Sequence, residues 1–286
     1  MEVIRSVAAL RAVLVEVRRA GGRVGLVPTM GSLHEGHLSL IRRAATVCDT
    51  VVVSVFVNPT QFNDPADLAA YPREEAADVA LAVGAGASIV FTPRVDEVYP
   101  AGFATSVRVD GLITESLEGA VRGPEHLWGV ATVVTKLFAM VQPDVAFFGQ
   151  KDAQQCVVVS RVVADLNLPV DVVICPTVRE TDGLAMSSRN VRLGDADRER
   201  ALALVGGLAA ATAAIDGGEA DAGMVAAMVT DAMVRRGVDP DYVAVVDVDT
   251  LVPLCRIDRR AVIAVAARVG PVRLIDNVVV DPRRGE

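Results

Sequence analysis

Two of the three histidines in this 286-residue chain, His34 and His37, stand together in Pro28-Thr29-Met30-Gly31-Ser32-Leu33-His34-Glu35-Gly36-His37-Leu38-Ser39-Leu40-Ile41. The preceding run, Arg23-Val24-Gly25-Leu26-Val27, reads as a short buried strand that Pro28 and Gly31 break, and Leu38-Ser39-Leu40-Ile41 opens a helical pattern. Both imidazoles therefore fall at a strand-to-helix junction. Free backbone N–H groups and the positive end of a helix dipole favour an anion there, and imidazole N–H donors add to it. Gly36 removes a side chain between the two rings, so a ligand can approach the backbone. The chemistry that fits is phosphate binding; the plainer alternative is a helix cap with two incidental histidines.

Three further segments stand out, the first two after apolar runs and the third past a polar stretch and before a helix. Asn58-Pro59-Thr60-Gln61-Phe62-Asn63 offers uncharged amides, which orient small polar substrates without adding charge, or else forms an empty Asn-Pro turn. Gly149-Gln150-Lys151-Asp152-Ala153-Gln154-Gln155 again leaves a strand at a glycine and enters a helix, with Lys151 as a point charge for phosphate. Gly183-Leu184-Ala185-Met186-Ser187-Ser188-Arg189-Asn190 supplies two hydroxyls and a guanidinium that can clasp a triphosphate from the side opposite the histidines. As a purely structural element it is a loop with a serine cap. No Walker-type G-x-x-x-x-G-K-[ST] occurs, no G-x-G-x-x-G follows a strand, and nucleophile-elbow and H-E-x-x-H signatures are missing. The two histidines are three apart rather than four, which argues against a helical zinc pair.

These segments must be positioned by the elements between them. Val24–Val27, Thr50–Val57, Ala87–Phe91, Val145–Phe148 and Val170–Cys175 read as strands, alternating with helices over Ser6–Ala20, His37–Cys48, Arg73–Val83, His126–Val141 and Lys151–Leu166. That pattern predicts an α/β fold, a Rossmann-like doubly wound parallel sheet spanning residues 1–177. Ligands in such sheets bind beyond the carboxyl ends of the strands, where all four segments lie. Residues 178–286 change pattern: two Ala-rich helices, Asp195–Ile215 and Glu219–Arg236, precede strands Tyr242–Val248, Ala261–Arg268 and Val272–Val280. A smaller C-terminal α+β domain is expected there, with Pro176–Gly183 as a hinge.

Composition narrows the partners. Hydrophobic residues are 52% of the chain, and 28 Lys plus Arg against 36 Asp plus Glu give a net charge of −8 and a pI near 5.0. That balance opposes nucleic-acid binding. No apolar run reaches the roughly 18 residues of a bilayer span, and Met1-Glu2-Val3-Ile4-Arg5 lacks an export signal, so a cytoplasmic protein with no membrane partner is expected. Cys48, Cys156, Cys175 and Cys255 show no C-x-x-C spacing, which predicts thiols rather than a disulfide framework or a zinc site.

His34-Glu35-Gly36-His37 resembles the His-x-Gly-His signature of the nucleotidyltransferase superfamily, and Pro28–Ile41, Phe56–Phe62, Tyr71-Pro72-Arg73, Phe147–Gln155 and Pro176–Asn190 resemble, in order, the pantothenate synthetases. The resemblance implies a two-step ligation: the carboxylate of pantoate attacks the α-phosphorus of ATP, giving pantoyl adenylate and pyrophosphate, and the β-alanine amine then displaces AMP. It implies an ATP site of Met30, Gly31, Ser32, Leu33, His34, Glu35, Gly36 and His37, completed by Gly149, Gln150, Lys151, Asp152, Val178, Met186, Ser187, Ser188 and Arg189. His37, His34 and Lys151 carry the catalytic donors, and Gln61 and Gln155 hold pantoate with Asn58 and Tyr71 nearby. Mg²⁺ is implied mainly through the ATP phosphates, with no protein metal site, and a homodimer with a C-terminal lid is implied as well.

This scheme suits the residues, because an ionised carboxylate needs no general base and the protein supplies positioning and charge stabilisation. Two departures stand out. Where the family has Arg-Pro-x-His-Phe, this chain has Arg122-Gly123-Pro124-Glu125-His126-Leu127, one residue longer, so no role is carried onto Arg122; and Ala76-Ala77-Asp78 stands where some members have more acidic residues. The competing readings are a nucleotidylyltransferase acting on a phosphorylated small molecule, which needs a basic acceptor pocket where Gln61 and Gln155 are neutral, a tRNA-charging enzyme, which the net charge opposes, and a non-catalytic nucleotide-binding module.

Overall fold

The computed structural model describes residues 2–282, so residue 1 and residues 283–286, at the outer ends of the two expected domains, lie outside the described residues. In chain order the strands are β1 (Glu2–Ile4), β2 (Val24–Thr29), β3 (Thr50–Val55), β4 (Ile89–Phe91), β5 (Val145–Gly149), β6 (Asp171–Cys175), β7 (Pro240–Asp247), β8 (Ala261–Val269) and β9 (Val272–Val280). The helices are α1 (Val7–Arg19), α2 (Glu35–Ala45), α3 (Pro65–Ala70), α4 (Glu75–Gly84), α5 (Val95–Val98), α6 (Leu112–Glu115), α7 (Leu117–Arg122), α8 (Glu125–Val141), α9 (Ala153–Asp165), α10 (Asp195–Asp216) and α11 (Ala222–Val234).

Among the described residues, β1 to β6 form a parallel sheet in the order β1-β4-β3-β2-β5-β6. The chain winds outward from β2 through β3 to β4 on one side and through β5 to β6 on the other. β2 and β5 therefore flank the point where the winding reverses, and the crevice beyond their carboxyl ends is the expected place for a ligand. Alternate residues face opposite sides of the sheet: Leu26 and Phe148 pack with Leu10 and Leu14 of α1 and with α8, while Val27 and Phe147 pack with Leu40 and Ile41 of α2 and Ala82 of α4. Burial on both faces explains the near-continuous Val, Ile and Phe runs.

Several elements differ from expectation, most informatively at β2, α2 and β1. β2 runs through Pro28 to Thr29 instead of ending at Val27. The Thr29 carbonyl accepts from Phe56 N on the β3 side, so the missing N–H of Pro28 faces β5, whose pairing with β2 ends at Leu26. α2 begins at Glu35, two residues before the expected start, because His34 is itself the cap. β1, a three-residue edge strand beside β4, is an addition.

β7, β8 and β9 form an antiparallel sheet of their own. One face carries Ile263 and Val265 against Leu204 and Leu208 of α10 and Val225, Val229 and Met233 of α11. The other places Val246, Val262 and Ala264 against Leu117 of α7 and Ala153 and Val157 of α9. The second sheet is thereby docked beside the exit of β5. The segment from Val178 to Met186, at the end of the expected hinge, forms a short hairpin, with Arg179 bridging Ala185 and Met186 N donating to the Val178 carbonyl. No helix is long and apolar enough to cross a membrane among the described residues. The four cysteines are free thiols, with Cys255 exposed.

Candidate active site

The two histidines cap their own helix. Gly36 N donates to His34 Nδ1 at 3.2 Å, and His34 N donates to His37 Nδ1 at 3.3 Å, so each ring closes one orphan N–H of the first turn. With both Nδ1 atoms accepting, the neutral tautomer of each ring carries its proton on Nε2, which is left as a donor toward the cleft. The ring centroids are 4.1 Å apart. A Cβ at position 36 would lie 2.9 Å from two atoms of the His34 ring, so glycine is what lets that ring fold back. Burial, with the neighbouring His34 second, pushes the His37 imidazole down to about 3; burial, then Lys151, lowers His34. Both rings are thus neutral donors at physiological pH.

The loop leading into them is held from behind. The buried Asp78 carboxylate accepts from Ser32 N at 3.0 Å and Leu33 N at 2.7 Å, across a turn in which Gly31 and Ser32 both have positive φ (82° and 52°). Its role is to fix the backbone of the histidine loop.

The cleft that the histidines face has a volume of about 210 Å³. It brings together Met30, His34, Gly36 and His37 with Gly149, Lys151 and Asp152 from the β5 exit, and with Val178, Met186, Ser187, Ser188 and Arg189 from the hairpin and the turn after it. Gly31, Ser32 and Leu33 contribute through the backbone turn behind, and Glu35 points away to an ion pair with Arg42. Asp152 is open to solvent inside the cleft yet walled by protein. Desolvation opposes its charge, but Lys151, 3.6 Å away, and Arg189 lead the opposing interactions that hold the carboxyl below its usual range. Burial raises the Tyr71 phenol, with Arg189 and Ser188 working against it.

Behind the cleft lies an inner pocket of about 140 Å³ with walls of Phe56, Val130, Val133, Val134 and Leu137. It opens into the cleft at His37, Gln61 and Gln155, which line both. Asn58 borders this pocket, but its side chain is spent on the protein: Nδ2 donates to Gln61 Oε1 at 3.0 Å and the Gly129 carbonyl at 3.1 Å, and Oδ1 accepts from Thr60 and from the Tyr99 hydroxyl at 2.8 Å. Asn58 thus orients Gln61 rather than reaching a ligand. A Cβ on Gly129 would lie 2.3 Å from the Thr60 carbonyl, so α8 can pack this close to the amide turn only at a glycine. Tyr71 lines the outer cleft and not the inner pocket.

Sequence reasoning missed two sets of residues. His126 lines the cleft; its Nδ1 lies 2.6 Å from the Gln61 carbonyl and its Nε2 3.4 Å from Arg122 Nη1, while burial, then Arg122, lowers its pKa. On β9, the buried neighbours Asp276 and Asn277 tie the Arg179 hairpin and the loop after β5 to the second sheet. Asp276 takes Arg179 in a two-pronged ion pair at 2.7 and 3.1 Å. Asn277 Nδ2 donates to the carbonyls of Gln150 and Lys151 at 2.9 and 3.0 Å, and Gln150 Nε2 returns a bond to Asn277 Oδ1 at 3.0 Å. Gln150 therefore faces the protein, and the loop it belongs to presents Lys151. Among the described residues no group of three or more His, Cys, Asp or Glu side chains is placed to hold a metal ion.

Comparison with known proteins places this architecture. The family model described as Pantoate-beta-alanine ligase matches residues 2–279. The pantothenate synthetase of Cereibacter sphaeroides is 53% identical over 278 residues, covering 97% of this chain and 99% of its own length. The crystal structure of pantothenate synthetase from Thermus thermophilus superposes with a TM-score of 0.91 at 46% identity, covering 97% of this chain and 99% of that one. That of pantoate-beta-alanine ligase from Francisella tularensis, complexed with beta-gamma ATP and beta-alanine, superposes with a TM-score of 0.79 at 30% identity over 99% of both chains.

Proposed function

This chain belongs to the pantoate-beta-alanine ligase family, and from that premise we propose that it joins pantoate to β-alanine at the expense of ATP through a pantoyl-adenylate intermediate. The observation that carries the order of events is the inner pocket opening into the cleft at His37. Its aliphatic walls suit the geminal methyl groups of pantoate, its amides suit hydroxyls and a carboxylate, and its mouth presents that carboxylate to whatever occupies the cleft. ATP in the cleft would be met by the α2 N-terminus and the Nε2 donors of His34 and His37 on one side, and by Lys151, Ser187, Ser188 and Arg189 on the other. Tyr71 and Met186 border the same space.

In the first step a carboxylate oxygen bonds to the α-phosphorus while the bond to the bridging oxygen breaks, its electrons leaving on pyrophosphate. In the second, the free amine of β-alanine attacks the acyl carbon, AMP departs with the C–O electron pair, and the nitrogen releases its extra proton to solvent to leave the neutral amide. Neutral imidazole donors stabilise charge on the phosphoryl oxygens without a proton transfer, and the protein adds no general base to the first step. Asp152 is the carboxylate nearest the phosphate donors. That donor set fits a Mg²⁺ arriving on the triphosphate better than a resident metal. Residues 178–286 act as a lid over the mixed anhydride, and the working form is a cytoplasmic homodimer.

The test is separability of adenylation. Enzyme, magnesium, ATP and pantoate should exchange labelled pyrophosphate into ATP without β-alanine, and β-alanine should then release AMP with stoichiometric amide. Product ADP without exchange would replace the adenylate by an acyl phosphate.

A further inference from the structure

A third cavity, of about 280 Å³, adjoins the nucleotide cleft. It shares Arg122, Lys151, Asp152, Ser187 and Arg189 with the nucleotide cleft, and of the residues that line both the cleft and the acid pocket only Asp152 belongs to it, whereas His37, Gln61 and Gln155 do not. Its lining also carries Arg192, Arg268 and Arg273, beside the carboxylates of Glu118 and Asp276. Arg268 and Arg273 stand directly opposite each other in the β8–β9 ladder, a pairing of like charges that is unfavourable in itself. Arg273 has its carboxylates, Glu118 at 2.5 Å and Asp241 at 2.7 Å. Among the described residues Arg192 and Arg268 form no salt bridge. In a chain of net charge −8 this is a local concentration of guanidinium groups with a purpose to be found.

We propose that this cavity is a pyrophosphate site, into which the leaving group of the adenylation step moves before release. The inference rests on the adenylation reading above. An in-line displacement puts nucleophile and leaving group on opposite sides of the α-phosphorus. The carboxylate enters from the side of His37 and Gln155, so pyrophosphate leaves toward Lys151 and Arg189, which form the shared wall. Guanidinium forks match its paired phosphate oxygens, and drawing the polyanion away from the new anhydride opposes the back reaction.

Arg192→Gln, Arg268→Gln and the double variant test this, since both positions are exposed and outside the core. Inorganic pyrophosphate is titrated calorimetrically into each, and its inhibition constant is measured beside the KM for ATP, with the thermal midpoint as a check on folding. The expected result is a loss of pyrophosphate affinity of about tenfold per arginine, at least fivefold larger than any change in ATP KM. A double variant that binds pyrophosphate within twofold of the parent overturns the site, and so does an equal weakening of ATP, which would assign both arginines to the triphosphate. Pantoate-dependent exchange in the parent enzyme is run in parallel. Its absence would overturn the adenylate reading, while the titration still decides by itself whether the cavity binds pyrophosphate.

Discussion

Replacing His37 by alanine separates its two duties, because they act on different quantities. As a transition-state donor through Nε2, the ring should be worth about 10²–10³ in the rate of adenylate formation, the usual effect of deleting one donor aimed at developing charge. As a cap it accepts a single 3.3 Å bond from His34 N, and losing a neutral bond at a partly solvated helix end costs about 0.5–1.5 kcal/mol. The variant should therefore stay folded, with a small drop in urea midpoint, while pantoate-dependent pyrophosphate exchange falls by at least a hundredfold. The charge state is checked independently by following the imidazole Cε1–H resonances by NMR. There are three histidines, and the variant identifies which signal belongs to residue 37. That signal should remain neutral through pH 6.5 and titrate only toward about 3. A His37 resonance with a midpoint near 6.5 would refute the neutral-donor account, and an undiminished exchange rate in the folded variant would refute the catalytic one.

Lys151→Ala should raise the ATP KM by about ten- to a hundredfold while Gln155→Ala acts mainly on pantoate, as expected of a charge beside the phosphates and an amide at the mouth of the acid pocket; steady-state KM values for the two substrates decide it. Asn277→Ala removes three hydrogen bonds in a buried position and should cost about 2–4 kcal/mol of stability by denaturant titration, together with weaker ATP use; unaltered ATP kinetics would remove its positioning role. Because the folded pKa of His37 lies below the unfolded value of 6.5, the unfolded chain takes up the proton first as pH falls. Its contribution to stability is full above about 6.5 and is lost between there and about 3, at about 1.4 kcal/mol per pH unit for this one group, a slope that His37→Ala should remove.

The parallel sheet was legible because burial on both faces leaves unmixed apolar runs between helical periods. Three of the four ligand-side segments were legible because each follows such a run, and Gly183–Asn190, which follows the polar stretch Arg179-Glu180-Thr181-Asp182, was legible by its own residue types. Boundaries set by pairing were not: Pro28 reads as a breaker until the side its nitrogen faces is known, and the three residues of β1 are too few to show a period. His34 was seen as a donor but not as the cap of its own helix, since histidine is an unusual capping residue and Gly36 weakens the helical pattern at that point. The roles of Asp78 and Asn277 depend on partners 45 and 127 positions away, contacts that local spacing does not encode. Asn58 was identified by type, yet an amide surrounded by protein donors and acceptors has nothing left to offer a substrate.

The pair Asp276 and Asn277 also bears on how the molecule comes apart. A single strand of the small sheet holds the Arg179 hairpin through one residue and the Lys151 loop through the next, so fraying of β9 would release together the two segments that face the histidines across the cleft. Local opening and loss of nucleotide binding are then one cooperative event rather than two. Conversely, a nucleotide that grips Lys151 and Arg189 lends its binding energy to a sheet it need never touch, and amide protection along β8 and β9 becomes a remote gauge of occupancy.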